Sequence, residues 1–212
     1  MKLWALIAAA FLLGLVTWRV ILPRVWSAPA AAPISLDADP VQEPLEAGEP
    51  LVVERSGTRY LVHKQFSYEV QGEVLSASTY DVTWTNDFAD VDVALLWGPK
   101  REAIKERFKF FQMGRWLFWR TESEVSPEDR AELTRVISNN HLIPAEGSQH
   151  LGWAFRRLGK GDEVRLKGSL VRITSPEGTL YAQSSTSRDD TGDGACEVVW
   201  VDELQVNGRV YR

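Results

Sequence analysis

The chain of 212 residues has one cysteine, Cys196, so no intramolecular disulfide can close and stability must come from a core. It also lacks a basic run. Its net charge is −5, and the first 26 residues hold Lys2, Arg19 and Arg24 without an acid, so the remainder is more acidic than the whole. Neutralising phosphates supplies most nucleic-acid affinity, and nucleic acid is therefore excluded as a partner. The three histidines, His63, His141 and His150, have no metal-ligand spacing, so no metal and no cofactor are expected. What is present is ordinary globular composition, 44% hydrophobic and 25% charged, with room for one sizeable core or two small ones.

Residues 3–18 contain no charge, and Val20 to Leu22 extend the apolar run if Arg19 snorkels to an interface. A spanning helix needs ~20 apolar residues. Trp4 and Trp18 stand near its two ends, where indoles favour lipid headgroups. A cleaved signal peptide is the rival, since Ala28 and Ala30 have the A-x-A spacing. The length of the run, and Arg19, Pro23 and Arg24 ahead of any such site, favour an uncleaved anchor over 1–26 that meets the lipid bilayer through 3–22. No basic cluster follows to hold the rest in the cytoplasm. The expectation is a single-pass protein of the inner (cytoplasmic) membrane whose C-terminal domain faces outside the cytoplasm. Residues 27–50 hold five of the ten prolines and no aromatic, and read as a Pro/Ala-rich linker.

From residue 51 to 212 strand signals dominate. Phe66, Tyr68, Val70 and Val74 share one parity, and Val164, Leu166 and Leu170 another, each set alternating with polar residues as in a half-buried strand. The phase slips at Val171 beside Gly168, which reads as a bulge or bend. Gly72 occupies the equivalent place in the first segment, as if two strands turn matching corners of a small barrel. Pro99 opens a helical stretch over 100–111. Ser126 caps a second helix with Glu128 and Asp129 in its first turn, and Leu151, Ala154, Phe155 and Leu158 form the face of a third that Gly159 ends. Residues 139–145 read as a connector, and residues 114–120 as a strand covered on both faces.

The densest polar stretch is 184–201, S-S-T-S-R-D-D-T-G-D-G-A-C-E-V-V-W-V. Three aspartates, two glycines and the cysteine fall there within eight residues. An aspartic protease needs a second carboxylate to share a proton, and no second D-T-G exists. A calcium loop counted from Asp189 puts Trp200 where the bidentate acid belongs. A hairpin turn explains more, because Cys196, Val198 and Trp200 alternate with Val199 and Val201 after it and Asp193-Gly194 is a strong turn pair. Cys196 is then a small core residue unless its surroundings activate the thiol. His141 reads as a cation capping a helix C-terminus, and its catalytic alternative pairs it with Asp190 or Cys196. Among six tryptophans beyond the linker, Trp116 and Trp119 lie on opposite parities, so one can face a groove lined by Arg115 and Arg120.

Residues 161–206 form a bent strand with a central glycine, a strand, an R-D-D-T-G turn and an apolar strand, and this resembles the opening of many OB-fold barrels. Here the turn carries an extra Asp193-Gly194. The chain from Tyr68 onward also resembles a family of bacterial membrane-anchored proteins with G-R-W-x-x-W-R, N-x-H-L-I-P-A and D-T-G-x-G-A-C elements, matched at 114–120, 139–145 and 190–196. That resemblance implies a membrane-anchored chain and no particular chemistry.

The fold expected is β-rich α+β, an N-terminal transmembrane helix plus a partly open OB-like β-barrel domain with two or three helices. The function expected is non-catalytic binding of another envelope component, protein or glycan, through Arg115, Trp116, Trp119, Arg120, Asn140, His141, Arg188 and Asp190. The alternatives are a hydrolase using His141 with the 189–196 loop, and a structural scaffold near the bilayer.

Overall fold

A computed structural model describes residues 2–55, 57–80, 88–89, 91–187 and 195–212. The apolar N-terminus forms α1 (Lys2–Val16), a π-helical turn (Thr17–Ile21) and the four-residue α2 (Leu22–Val25). Pro23 cannot donate the N–H that would continue an α-helical ladder, and the ladder widens immediately ahead of it. The α-helix proper has 15 residues, which span ~22 Å against a hydrocarbon core of ~30 Å. Among the described residues no helix is long and apolar enough to cross a membrane, which overturns both the expected transmembrane helix and the expected single-pass placement in the inner membrane. Trp18, expected at a headgroup layer, instead meets Trp153 edge-on at 5.7 Å, and Trp26 stacks on His150 at 4.8 Å.

The rest is β-rich α+β. In chain order come β1 (Ala28–Pro29), β2 (Val41–Pro44), β3 (Leu51–Arg55), β4 (Thr58–Thr79) and β5 (Val91–Leu96). Then follow α3 (Arg101–Arg107), β6 (Lys109–Met113), β7 (Trp116–Arg120), α4 (Pro127–Arg135), β8 (Ile137–Pro144) and α5 (Gln149–Phe155). The chain ends with β9 (Glu163–Thr174), β10 (Leu180–Gln183), β11 (Glu197–Val206) and β12 (Arg209–Tyr211). In place of the expected OB-like barrel there is one ten-stranded mixed sheet, ordered β1-β12-β11-β8-β5-β4-β9-β10 with β2 and β3 on β4. The mixed character comes from β8, which runs parallel to β11 and antiparallel to β5. Residues 27–50 lie along the domain, where β1 pairs with β12, β2 pairs with β4, and Arg101 meets Asp37 at 2.5 Å.

β9 pairs with β4 on one side and with β11 on the other, so the sheet curls around its largest apolar cluster, which includes Tyr68, Val93, Leu142, Leu166 and Val199. Gly168 permits the curl, because a Cβ there would overlap the Trp200 carbonyl. The opposite sheet face carries two smaller clusters. One contains Ile143, Val198 and Trp200, and the other Ala94, Leu96, Ile104, Phe108 and Leu133. The helical stretch from Pro99 stops at Arg107 rather than continuing to residue 111, and the ribbon β6–β7 follows. β7 is not covered on both faces: Trp116, Phe118 and Arg120 are exposed while Leu117 and Trp119 turn inward. Ser126 caps α4 as expected, its Oγ accepting from the Asp129 amide at 3.1 Å.

Candidate active site

Three adjacent strands assemble the site. Asp92 on β5 lies directly across from His141 on β8, while the parallel partner β11 sets Glu197 beside Asn140 and Val198 beside His141. Cys196 immediately precedes β11 and so falls level with Asn139. Alternation along a strand then sends Asp92, Asn139, His141 and Cys196 to one face of the sheet. Their neighbours Val93, Leu142 and Val199 point into the main core instead. The four polar side chains occupy the gap between the two smaller apolar clusters.

Asp92 is fully buried, and its Oδ1 accepts from His141 Nδ1 at 2.7 Å and from Arg115 Nη1 at 2.9 Å. Its Oδ2 is buried with no hydrogen-bond partner among the described residues. Burial by itself pulls the His141 imidazole toward the neutral form. Hydrogen bonds to Asp92 and Cys196, and the charges on both, outweigh that pull and raise its pKa to about 9. At neutral pH the ring is therefore an imidazolium, bonded to Asp92 and to the sulfur of Cys196. With Nδ1 held by Asp92, Nε2 is the nitrogen left for sulfur.

Arg115 reaches this cluster from the tip of the β6–β7 ribbon. Gly114 and Arg115 have φ of 57° and 73°, the paired left-handed residues of a two-residue hairpin turn. For arginine that conformation costs of order 1 kcal/mol or more, and such strain persists only where surroundings hold it. Here the Arg115 amide donates to the Tyr80 hydroxyl at 2.9 Å, its guanidinium lies 4.6 Å over the Tyr80 ring, and Nη2 donates to the Ala89 carbonyl. Burial, followed by the Asp92 charge, pushes the Tyr80 phenol up, so it stays neutral.

The sequence-derived site residues separate accordingly. His141 and Arg115 meet at Asp92, and His141 is a strand residue rather than the helix cap it was read as, within a strand rather than a connector. Asn140 turns to the core side, donating to the Val93 carbonyl at 3.2 Å and Ser138 Oγ at 2.8 Å. Trp119 packs edge-on to Phe108, and Trp116 and Arg120 are exposed on the outer face of the ribbon. Arg188 and Asp190 lie outside the described residues, as does the D-T-G-D-G turn. Of the two partners considered for His141, Cys196 is adjacent to it. Asp92 is absent from the sequence-derived set, although a lone acid within V-D-V-A-L-L carries a signal, because a charge inside an apolar strand has to be paired. Asn139, the first residue of the expected connector, also belongs to the site. Among the described residues no group of three or more His, Cys, Asp or Glu side chains is arranged to hold a metal ion.

Comparison with protein-family models, with curated proteins and with solved structures finds no match. Any functional reading therefore rests on this geometry.

Proposed function

We propose that the protein is a cysteine-dependent acyl-transfer enzyme, acting as a hydrolase of an ester, thioester or amide. The observation that carries the reading is one imidazole, 16% exposed, held at Nδ1 by buried Asp92 and bonded to the thiol of Cys196. Cys196 is the nucleophile, His141 the general acid and base, and Asp92 a positioning residue that fixes the ring and balances its charge. The thiolate attacks the substrate carbonyl carbon, forming the C–S bond while the carbonyl π pair moves to oxygen. As that pair returns, the bond to the leaving group breaks and His141 delivers its proton to the departing atom. The neutral imidazole then takes a proton from water as water oxygen attacks the thioester carbon. Collapse expels the Cys196 thiolate and restores the imidazolium.

The alternative of a non-catalytic binding module draws on the ribbon's outer face, where Phe111, Met113, Trp116 and Phe118 are exposed. It gives no reason for a charged histidine beside the thiol. Hydrolysis of p-nitrophenyl acetate separates the two readings. Wild type should turn the ester over, Cys196→Ser should not, and His141→Gln should lose ~10²-fold or more. Reaction of wild type no faster than an unfolded control with the same cysteine would overturn the acyl-transfer reading.

A further inference from the structure

Asn139 has a carboxamide with two N–H donors and one acceptor, and its surroundings fix which way it points. Its Nδ2 donates to the Arg115 carbonyl at 2.9 Å and to Cys196 Sγ at 3.4 Å. Its Oδ1 accepts from Gln112 Nε2 at 2.8 Å, and Gln112 Oε1 accepts from Ser76 Oγ at 2.9 Å. A backbone carbonyl cannot donate, so rotating the amide by half a turn would set oxygen against oxygen at Arg115 and nitrogen against nitrogen at Gln112. One N–H is thus committed to Arg115, and the other is aimed at the sulfur. Asn139 is 6% exposed, so little water competes for that second donor.

Resting on the acyl-transfer reading, we propose that Asn139 is a catalytic residue whose second Nδ2–H stabilises the oxyanion of the tetrahedral intermediate. This N–H already points at the sulfur, which carries the negative charge once it is deprotonated for attack. During attack the charge passes to an oxygen one bond from the carbon that the sulfur is joining. A donor in contact with the sulfur is within reach of that oxygen and needs only a small turn to follow the charge. The chain Ser76–Gln112–Asn139 supplies the preorganisation, so little reorganisation is left for the moment of reaction. Gln112 is a positioning residue in this scheme, acting on the reaction only through Asn139. The ribbon is therefore part of the catalytic machinery, since both Gln112 and the Arg115 carbonyl belong to it.

Two reactions of the same thiol test the assignment. Acylation by p-nitrophenyl acetate passes through an oxyanion, whereas alkylation by iodoacetamide is a direct displacement at carbon and forms none. Both depend on how much thiolate is present and how accessible it is. In Asn139→Ala the acylation rate should fall ~10²-fold relative to wild type, with alkylation changing less than ~3-fold. Gln112→Leu, altered on the ribbon rather than in the sheet, should give a smaller loss of ~10-fold with the same selectivity for acylation, and it decides the matter if Asn139→Ala does not fold. Equal losses in both reactions would mean that Asn139 only ionises or positions the thiol, and would overturn the proposal. Unchanged acylation would overturn it as well. Wild type that alkylates but fails to acylate would instead sink the acyl-transfer reading beneath it.

Discussion

Replacing Asp92 with asparagine keeps the shape of the site and removes its buried charge. In wild type the carboxylate serves two cations at once, His141 and Arg115, through a single oxygen. Without it, burial, the largest single influence on the imidazole, is opposed only by Cys196. The His141 pKa should then fall toward or below the ordinary value of 6.5. A histidine whose folded pKa is raised contributes stability that is fully present below its unfolded pKa and is lost as pH rises through the folded one. The window here runs from about 6.5 to about 9, and the gap corresponds to up to ~3 kcal/mol. Arg115, 16% exposed, loses the negative charge it pairs with at every pH while keeping its other contacts, which adds ~1–3 kcal/mol. Urea unfolding of wild type and Asp92→Asn at about pH 6 and about pH 10 separates the two contributions. The penalty should be ~2 kcal/mol or more larger at the lower pH, because His141 is neutral in both proteins at the higher one. Equal penalties at the two pH values would refute the claim that the carboxylate holds a charged imidazole.

Two further substitutions probe the frame that positions the site. Gly168→Ala places a Cβ against the Trp200 carbonyl and must push β9 away from β11, so the urea midpoint should drop by an amount equivalent to ~2 kcal/mol or more. A midpoint within error of wild type would mean that the curl of the sheet does not depend on that close approach. Ser126→Ala removes the cap of α4 and should cost ~1 kcal/mol in the same assay, with the reactivity of Cys196 unchanged.

Local signals in the sequence carried well where the physics is local. The cap at Ser126 depends on a few neighbouring residues and is found where expected. The apolar N-terminus was judged by the length of its uncharged run, which overlooks what Pro23 does to the hydrogen-bond ladder. His141 and Cys196 were recognised as chemically capable, but their meeting depends on the parallel register of β8 with β11, and no turn between those strands announces that pairing. Asp92 is further out of reach, because its role follows from lying opposite His141 across a second strand pair. Asn139 and Asn140 show the same limit at the scale of one residue. Treating 139–145 as a connector erased the alternation that sends one asparagine to the thiol and the other to the core.

The central claim is that His141 is an imidazolium held between Asp92 and the sulfur of Cys196. An NMR titration of the His141 ring in wild type and in Cys196→Ser tests it most directly. The account predicts a midpoint of about 9 in wild type and a clearly lower one in Cys196→Ser, since the sulfur's hydrogen bond and charge both hold the proton on the ring. A midpoint near the ordinary value of 6.5 in both proteins would contradict it.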